Sequence, residues 1–117
     1  MGIRYQEPLG VVGSAPELKV SPLAEPKGLR VAGEVGLATH AVWERALEQA
    51  VREDRDVYYL ELSSVTFVDV AGAGALAVAA QRLGDGRRMV LHQPPPALRR
   101  VLEMFWPDLP SIEVSMS

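Results

Sequence analysis

The residues with the most chemical potential in this chain stand in one short stretch, Phe67-Val68-Asp69-Val70-Ala71-Gly72-Ala73-Gly74-Ala75-Leu76. A lone carboxylate ends a hydrophobic, β-type run and opens a series of very small side chains. That placement makes Asp69 a helix N-cap, its oxygen accepting from the N–H of Ala71 or Gly72 and its charge suiting the positive helix end. Small residues after it leave the first helical turns low, so that another surface can approach the backbone closely. The same residues would equally let the helix pack tightly on a sheet.

Other chemistries fit less well. Gly72-x-Gly74-x-x-Ala77 is a loose form of the dinucleotide fingerprint, which also wants an acid roughly 20 residues later at the end of the next strand. Here that strand ends Leu91-His92-Gln93, and the strand bearing the glycines is third in the chain, not first. No nicotinamide, flavin or other cofactor is therefore expected. His40 and His92 are the only imidazoles, and neither has a second ligand at short spacing, so no metal site is expected. Ser63 or Ser64 with His92 and Asp69 has the residue types of a hydrolytic triad, but the G-x-S-x-G elbow is missing. A phosphate-binding GK[ST] loop is missing too. The sequence reads as a contact surface and not as an enzyme.

Alternating elements must position that surface. Met1 to Pro16, with Pro8, Gly10 and Gly13, reads as a flexible N-terminal arm, leaving residues 17–117 as the folded domain. ELKVSPL and LRVAGEV are β-type runs around a Pro-Lys-Gly turn, a hairpin. Thr39 is the candidate N-cap of a first helix whose Val42, Trp43, Ala46, Leu47, Ala50 and Val51 recur at helical spacing. On its solvated face, Glu48 and Arg52 form an i, i+4 pair. VYYLELSSVTFV reads as a strand with Thr66 turned inward. The helix after Asp69 is apolar almost all round and needs protein on most sides. RRMVLHQ is a further strand. PPPALRRVLEMFW is a third helix with the stripe Leu98, Val101, Leu102 and Phe105, and SIEVS closes as a strand. Strands alternating with helices imply an α/β domain: a mixed sheet of four to five strands, an antiparallel hairpin followed by parallel crossovers, with about three main helices.

Composition narrows the function classes. The 117 residues set an expectation of one domain. With 12 Lys+Arg against 15 Asp+Glu, a net charge of −3 gives no basic footprint for nucleic acid. Without cysteine there is no disulfide framework, zinc knuckle or thiol nucleophile. The longest apolar run, Val70 to Ala80, falls short of the roughly 18 residues a spanning helix needs, so no direct membrane insertion is expected. The start, MGIRYQEPLGVVG, lacks the basic and apolar regions of a signal peptide, so a cytoplasmic protein is expected.

These residues carry a resemblance. LELSSVTFVDVAGAGAL resembles the signature of STAS domains, the family of bacterial anti-sigma-factor antagonists: a hydrophobic strand followed by D-S-S-G-x-x-x-L. LRVAGEVGLAT looks like that family's second strand and G-E-x-D-x-A-T turn, and RRMVLHQPPPALRRVLEMFW like its fourth strand and third main helix. The likeness runs from about Leu18 to Val114. It implies a non-enzymatic, protein-binding STAS domain whose partner is an anti-sigma factor with serine-kinase activity. In such a pair, phosphorylation of the serine after the aspartate breaks the complex by adding about 1.5 to 2 negative charges to a closely packed surface. This sequence keeps Asp69 and Gly72 but has Val70 and Ala71 at the two serine positions, and Gly36 where the turn normally carries an acid. Neither Val70 nor Ala71 can accept phosphate. The implied contact residues are Gly36, Leu37, Ala38 and Thr39 with Asp69, Val70, Ala71, Gly72 and Gly74. An accessory subunit of a lipid-type ABC transporter and a small-ligand or nucleotide sensor are the alternatives. The apolar helix start also suggests a homodimer.

Overall fold

The computed structural model describes residues 16–53 and 55–116; the arm expected over residues 1–16 lies, but for Pro16, outside them. Strands β1 (Leu18–Leu23) and β2 (Gly28–Val35) form the hairpin. A 3-10 turn (Leu37–Thr39) leads into α1 (His40–Arg52). Next come β3 (Val57–Val68), α2 (Val70–Gln81), β4 (Arg88–His92), α3 (Pro96–Phe105) and β5 (Ile112–Ser115). The five strands lie in chain order in one sheet; β1 runs antiparallel to β2, and every other neighbouring pair is parallel. The expected mixed sheet with three helices is what forms.

Period-two alternation sets the core. Leu29 and Val31 of β2, Tyr58, Leu60 and Leu62 of β3, and Met89 and Leu91 of β4 are buried in one cluster with Trp43, Leu47, Leu76 and Leu98 of the helices. The apolar α2 packs between α1 and α3, which cover all but one stripe of it. The opposite sheet face is polar: Arg88 Nε donates to Glu113 Oε1 at 2.8 Å, and His92 Nδ1 meets Glu61 Oε1 at 2.6 Å.

Four local expectations change. Thr66 is exposed, because the β2–β3 register slips twice, between Arg30 and Ala32 and between Gly33 and Glu34. Each slip adds a residue to β3, so its buried positions pass from Leu62 to Val65 to Val68 and Thr66 turns out. Gly33 allows this at φ +124°, where a Cβ would stand 2.1 Å from the Glu17 carbonyl oxygen. Glu48 does not take Arg52 but the guanidinium of Arg82 at the C-cap of α2, at 2.8 and 3.1 Å, since two parallel bonds outweigh a single i, i+4 contact. Phe105 is more than half exposed while Trp106 packs against the core, because the chain leaves helical geometry at Trp106 and turns the indole inward. The fourth is Thr39, which braces the turn after β2.

One core group is left unsatisfied. The buried Tyr58 hydroxyl has no hydrogen-bond partner among the described residues, and burial, with Glu53 adding its charge, pushes its pKa up to about 12. An unmet buried hydroxyl costs about 1–3 kcal/mol, so Tyr58→Phe is expected to stabilise the domain by about 1 kcal/mol. Thermal melts of the two proteins check this, and a lower midpoint for the variant would show that the hydroxyl has a partner.

Candidate functional site: a protein-contact face at the ends of β2 and β3

β2 and β3 are adjacent and parallel, so their C-terminal ends deliver the Gly36–Thr39 turn and the Asp69 helix start side by side. The Asp69 N–H donates to the Val35 carbonyl at 3.0 Å, joining the two junctions directly. Asp69 caps α2 as expected: its Oδ1 accepts from the Gly72 N–H at 2.7 Å. Thr39 precedes α1 but makes no side-chain cap. Its buried Oγ1 turns back instead, accepting from the Gly36 N–H at 3.0 Å and donating to the Glu34 carbonyl at 2.6 Å. The intervening 3-10 turn carries the hydroxyl away from the α1 amides and gives it this turn to hold.

That bracing presents the two residues after Gly36. Leu37 is 94% exposed and Ala38 is exposed, while Val70 is 61% exposed beside exposed Ala71. Gly36 and Asp69 are half-buried between them. Beneath lies the second brace: the buried Trp43 indole N–H donates to the Gly72 carbonyl at 2.9 Å and ties α1 to the first turn of α2. Gly72 is buried, and a Cβ there would come within 2.6 Å of Val35 Cγ1, so its smallness serves packing inside the domain. Thr39 and Gly72 thus shape the surface from below, whereas Leu37, Ala38, Val70 and Ala71 form it.

The surface continues past the expected Ala71 and Gly74 to Val78 and to α1, which the sequence reading does not single out. Ala71, Gly74 and Val78 of α2 face Ala41 and Glu44 of α1 across an open groove of ≈ 590 Å³. Val78 is more than half exposed. Its signal in the sequence is helical spacing, since 71, 74, 75, 78 and 82 share one stripe that ends on Arg82, the residue that closes α2. The rim is charged. His40 Nε2 lies 3.4 Å from Glu44, and the Arg82 guanidinium holds the Glu48 carboxyl below its usual range by hydrogen bonding.

The catalytic alternatives are not assembled. Asp69 commits an oxygen to its cap, and His92 sits with Glu61 on the polar sheet face, so Ser63 or Ser64, His92 and Asp69 do not converge. Among the described residues, no group of three His, Cys, Asp or Glu side chains could hold a metal ion. Likewise, no helix there is long and apolar enough to cross a membrane. Burial raises the Glu61 pKa, but hydrogen bonds from Ser63 and His92 more than offset it, leaving the carboxyl below its usual range. A depressed folded-state pKa gives stability that is present above the unfolded value, about 4.3, and lost as pH falls through the folded one. Glu61→Gln is accordingly expected to flatten the fall in melting temperature below about pH 4.5. An unchanged acid limb would show that the pair adds nothing.

Solved structures of this shape exist. An anti-sigma factor antagonist from Mycobacterium paratuberculosis matches with a TM-score of 0.70 at 20% identity, over 91% of this chain and 90% of that one. The anti-sigma factor antagonist SpoIIAA in its unphosphorylated form matches with a TM-score of 0.58 at 15% identity, over 86% of this chain and 90% of that one. A search of curated proteins found no matching sequence. The family model described as "Mlab, STAS domain" matches residues 19–106, most of the chain and all of the elements that build the face. By that match, the fold and the signature around Asp69 have one source: the chain belongs to the STAS domain family.

Proposed function

We propose that this domain is an antagonist-like binding module that captures an anti-sigma factor with serine-kinase activity and is not released by phosphorylation at the usual position. The observation that carries the reading is the face itself: exposed Leu37 and Val70 on two braced junctions, beside the low stripe of Ala71 and Gly74, with no hydroxyl at residues 70 and 71. Apolar knobs on a rigid mount lose little entropy on docking, which suits protein capture. Val70 adds apolar contact where a serine would make the complex reversible. The alternative, an accessory subunit of a lipid-type ABC transporter, is compatible with the same absence of a hydroxyl at residues 70 and 71.

The test is capture from a lysate of the source cells with tagged wild type and Gly74→Asp in parallel. Recovery of an anti-sigma serine kinase by wild type alone supports the antagonist reading; recovery of an ABC ATPase or permease replaces it with the second. With the captured kinase and ATP, wild type is expected to gain no phosphoryl group, and Val70→Ser to gain one. A variant that stays unmodified would show that the kinase does not address this junction.

A further inference from the structure

The sheet has two edges, and they are built differently. β1 is blunted by Pro22, which has no N–H to offer, and by the exposed Lys19. β5 is short but has no proline, and its one charged side chain, Glu113, is held by Arg88 on the neighbouring strand. The Met89 N–H donates to the Ser111 carbonyl and the Gln93 N–H to the Ser115 carbonyl, so the odd-numbered residues of β5 turn their backbone groups to β4. By alternation, the N–H and C=O of Val114 turn away from β4 toward an edge that no other described strand covers. Exposed apolar side chains stand on the strand and just past it: Val114 (39% exposed) and Met116 (50%). Between α3 and β5 runs a groove of ≈ 130 Å³ lined by Trp106, Leu109, Ile112 and Val114, with one cation, Arg99, and one anion, Glu103, at its rim.

We propose that this edge binds a second copy of the chain, β5 pairing antiparallel with β5 about a two-fold axis at Val114. The side chains themselves select that register. Cross-strand partners share a sheet face, so the axis passes through a residue, and Glu113 and Val114 are the two at the centre of the strand. An axis at Glu113 sets two like carboxylates opposite each other. An axis at Val114 sets Val114 against Val114 and Ile112 against Met116 on the apolar face, and Glu113 against Ser115 on the polar one. In that arrangement the Val114 groups exchange both hydrogen bonds with the copy, and the mixed-charge rim can pair reciprocally, as a two-fold contact requires. The pairing is short, so the dimer is weak, with a Kd on the order of 10–100 µM. It lies at the opposite edge of the sheet from β1 and leaves the face at the ends of β2 and β3 open. It does not depend on what that face binds.

Sedimentation velocity across a concentration series is the first measurement. Wild type is expected to pass from monomer to dimer, and Val114→Pro, lacking the outward N–H, to stay monomeric with an unchanged circular dichroism spectrum. Because the chain has no cysteine, single-cysteine variants report the register even if that proline variant fails to fold. Paired Val114 Cα atoms stand about 5.5 Å apart, within disulfide reach. Mild oxidation should therefore cross-link Val114→Cys and spare Glu113→Cys, Lys19→Cys on β1, and Val70→Cys on the contact face. A wild type that stays monomeric to several times the upper Kd, or a cross-link as strong at any of the other three positions, overturns the proposal.

Discussion

Gly74→Asp is expected to lose its protein partner while remaining as well folded as wild type. Gly74 lies in the outward stripe of α2, and a Cβ there meets nothing closer than Trp106 Cη2 at 3.7 Å, an ordinary contact. Aspartate is no worse than glycine within a helix. The folded state therefore has room for the substitution. A docked partner does not: an unpaired carboxylate would be stripped of water against the Ala71–Val78 stripe, at a cost of several kcal/mol and upwards of about a hundredfold in affinity. Binding titrations beside thermal melts read the two effects separately. Undiminished affinity would take the groove out of the interface and leave Leu37 and Val70 to carry it.

Trp43→Ala is expected to be the most damaging single change to the fold. The indole is fully buried in the core, and it supplies the hydrogen bond that holds the Gly72 carbonyl and with it the first turn of α2. Truncating a buried tryptophan costs about 3–5 kcal/mol, against a total stability of about 5–15 kcal/mol for a domain of ordinary size. The midpoint should fall by roughly 10–25 °C. Trp43→Phe keeps much of the volume but orphans the carbonyl, and should lose about 1–3 kcal/mol. Binding by the phenylalanine variant is informative, because a face set by the Trp43–Gly72 brace should weaken even where the fold survives. A loss under about 1 kcal/mol for the alanine variant would mean that the helices hold their places without this contact.

Much of the domain is legible from short-range pattern. The Pro-Lys-Gly turn announces the hairpin, and helical spacing from Val42 to Val51 and from Leu98 to Leu102 announces α1 and α3. Asp69 before a run of small residues announces both the cap and the start of α2. In each case the signal lies within one or two turns of chain, where backbone sterics and the nearest hydrogen bonds decide the conformation. The missing hydroxyls at Val70 and Ala71 are legible in the same way, because they are a matter of residue identity alone.

The features that were not legible depend on partners distant in the chain. Thr66 turns outward because β3 takes two extra residues against β2, and no count along β3 alone reveals where its neighbour slips. Glu48 finds Arg82, 34 positions away, before its own helix can offer Arg52. Thr39 serves its turn because the chain makes one 3-10 turn before α1 begins. The groove beside Gly74 exists only because α1 and α2 lie next to each other. By itself, then, the sequence determined which elements form, their order, the cap on α2 and the absence of a hydroxyl at residues 70 and 71, all of them local choices. Only the tertiary structure decided which residues stand proud as Leu37 and Val70 do, and which, like Thr39 and Gly72, hold them up from beneath. Exposure is a property of the neighbours that pairing and packing bring together, and those neighbours come from other parts of the chain.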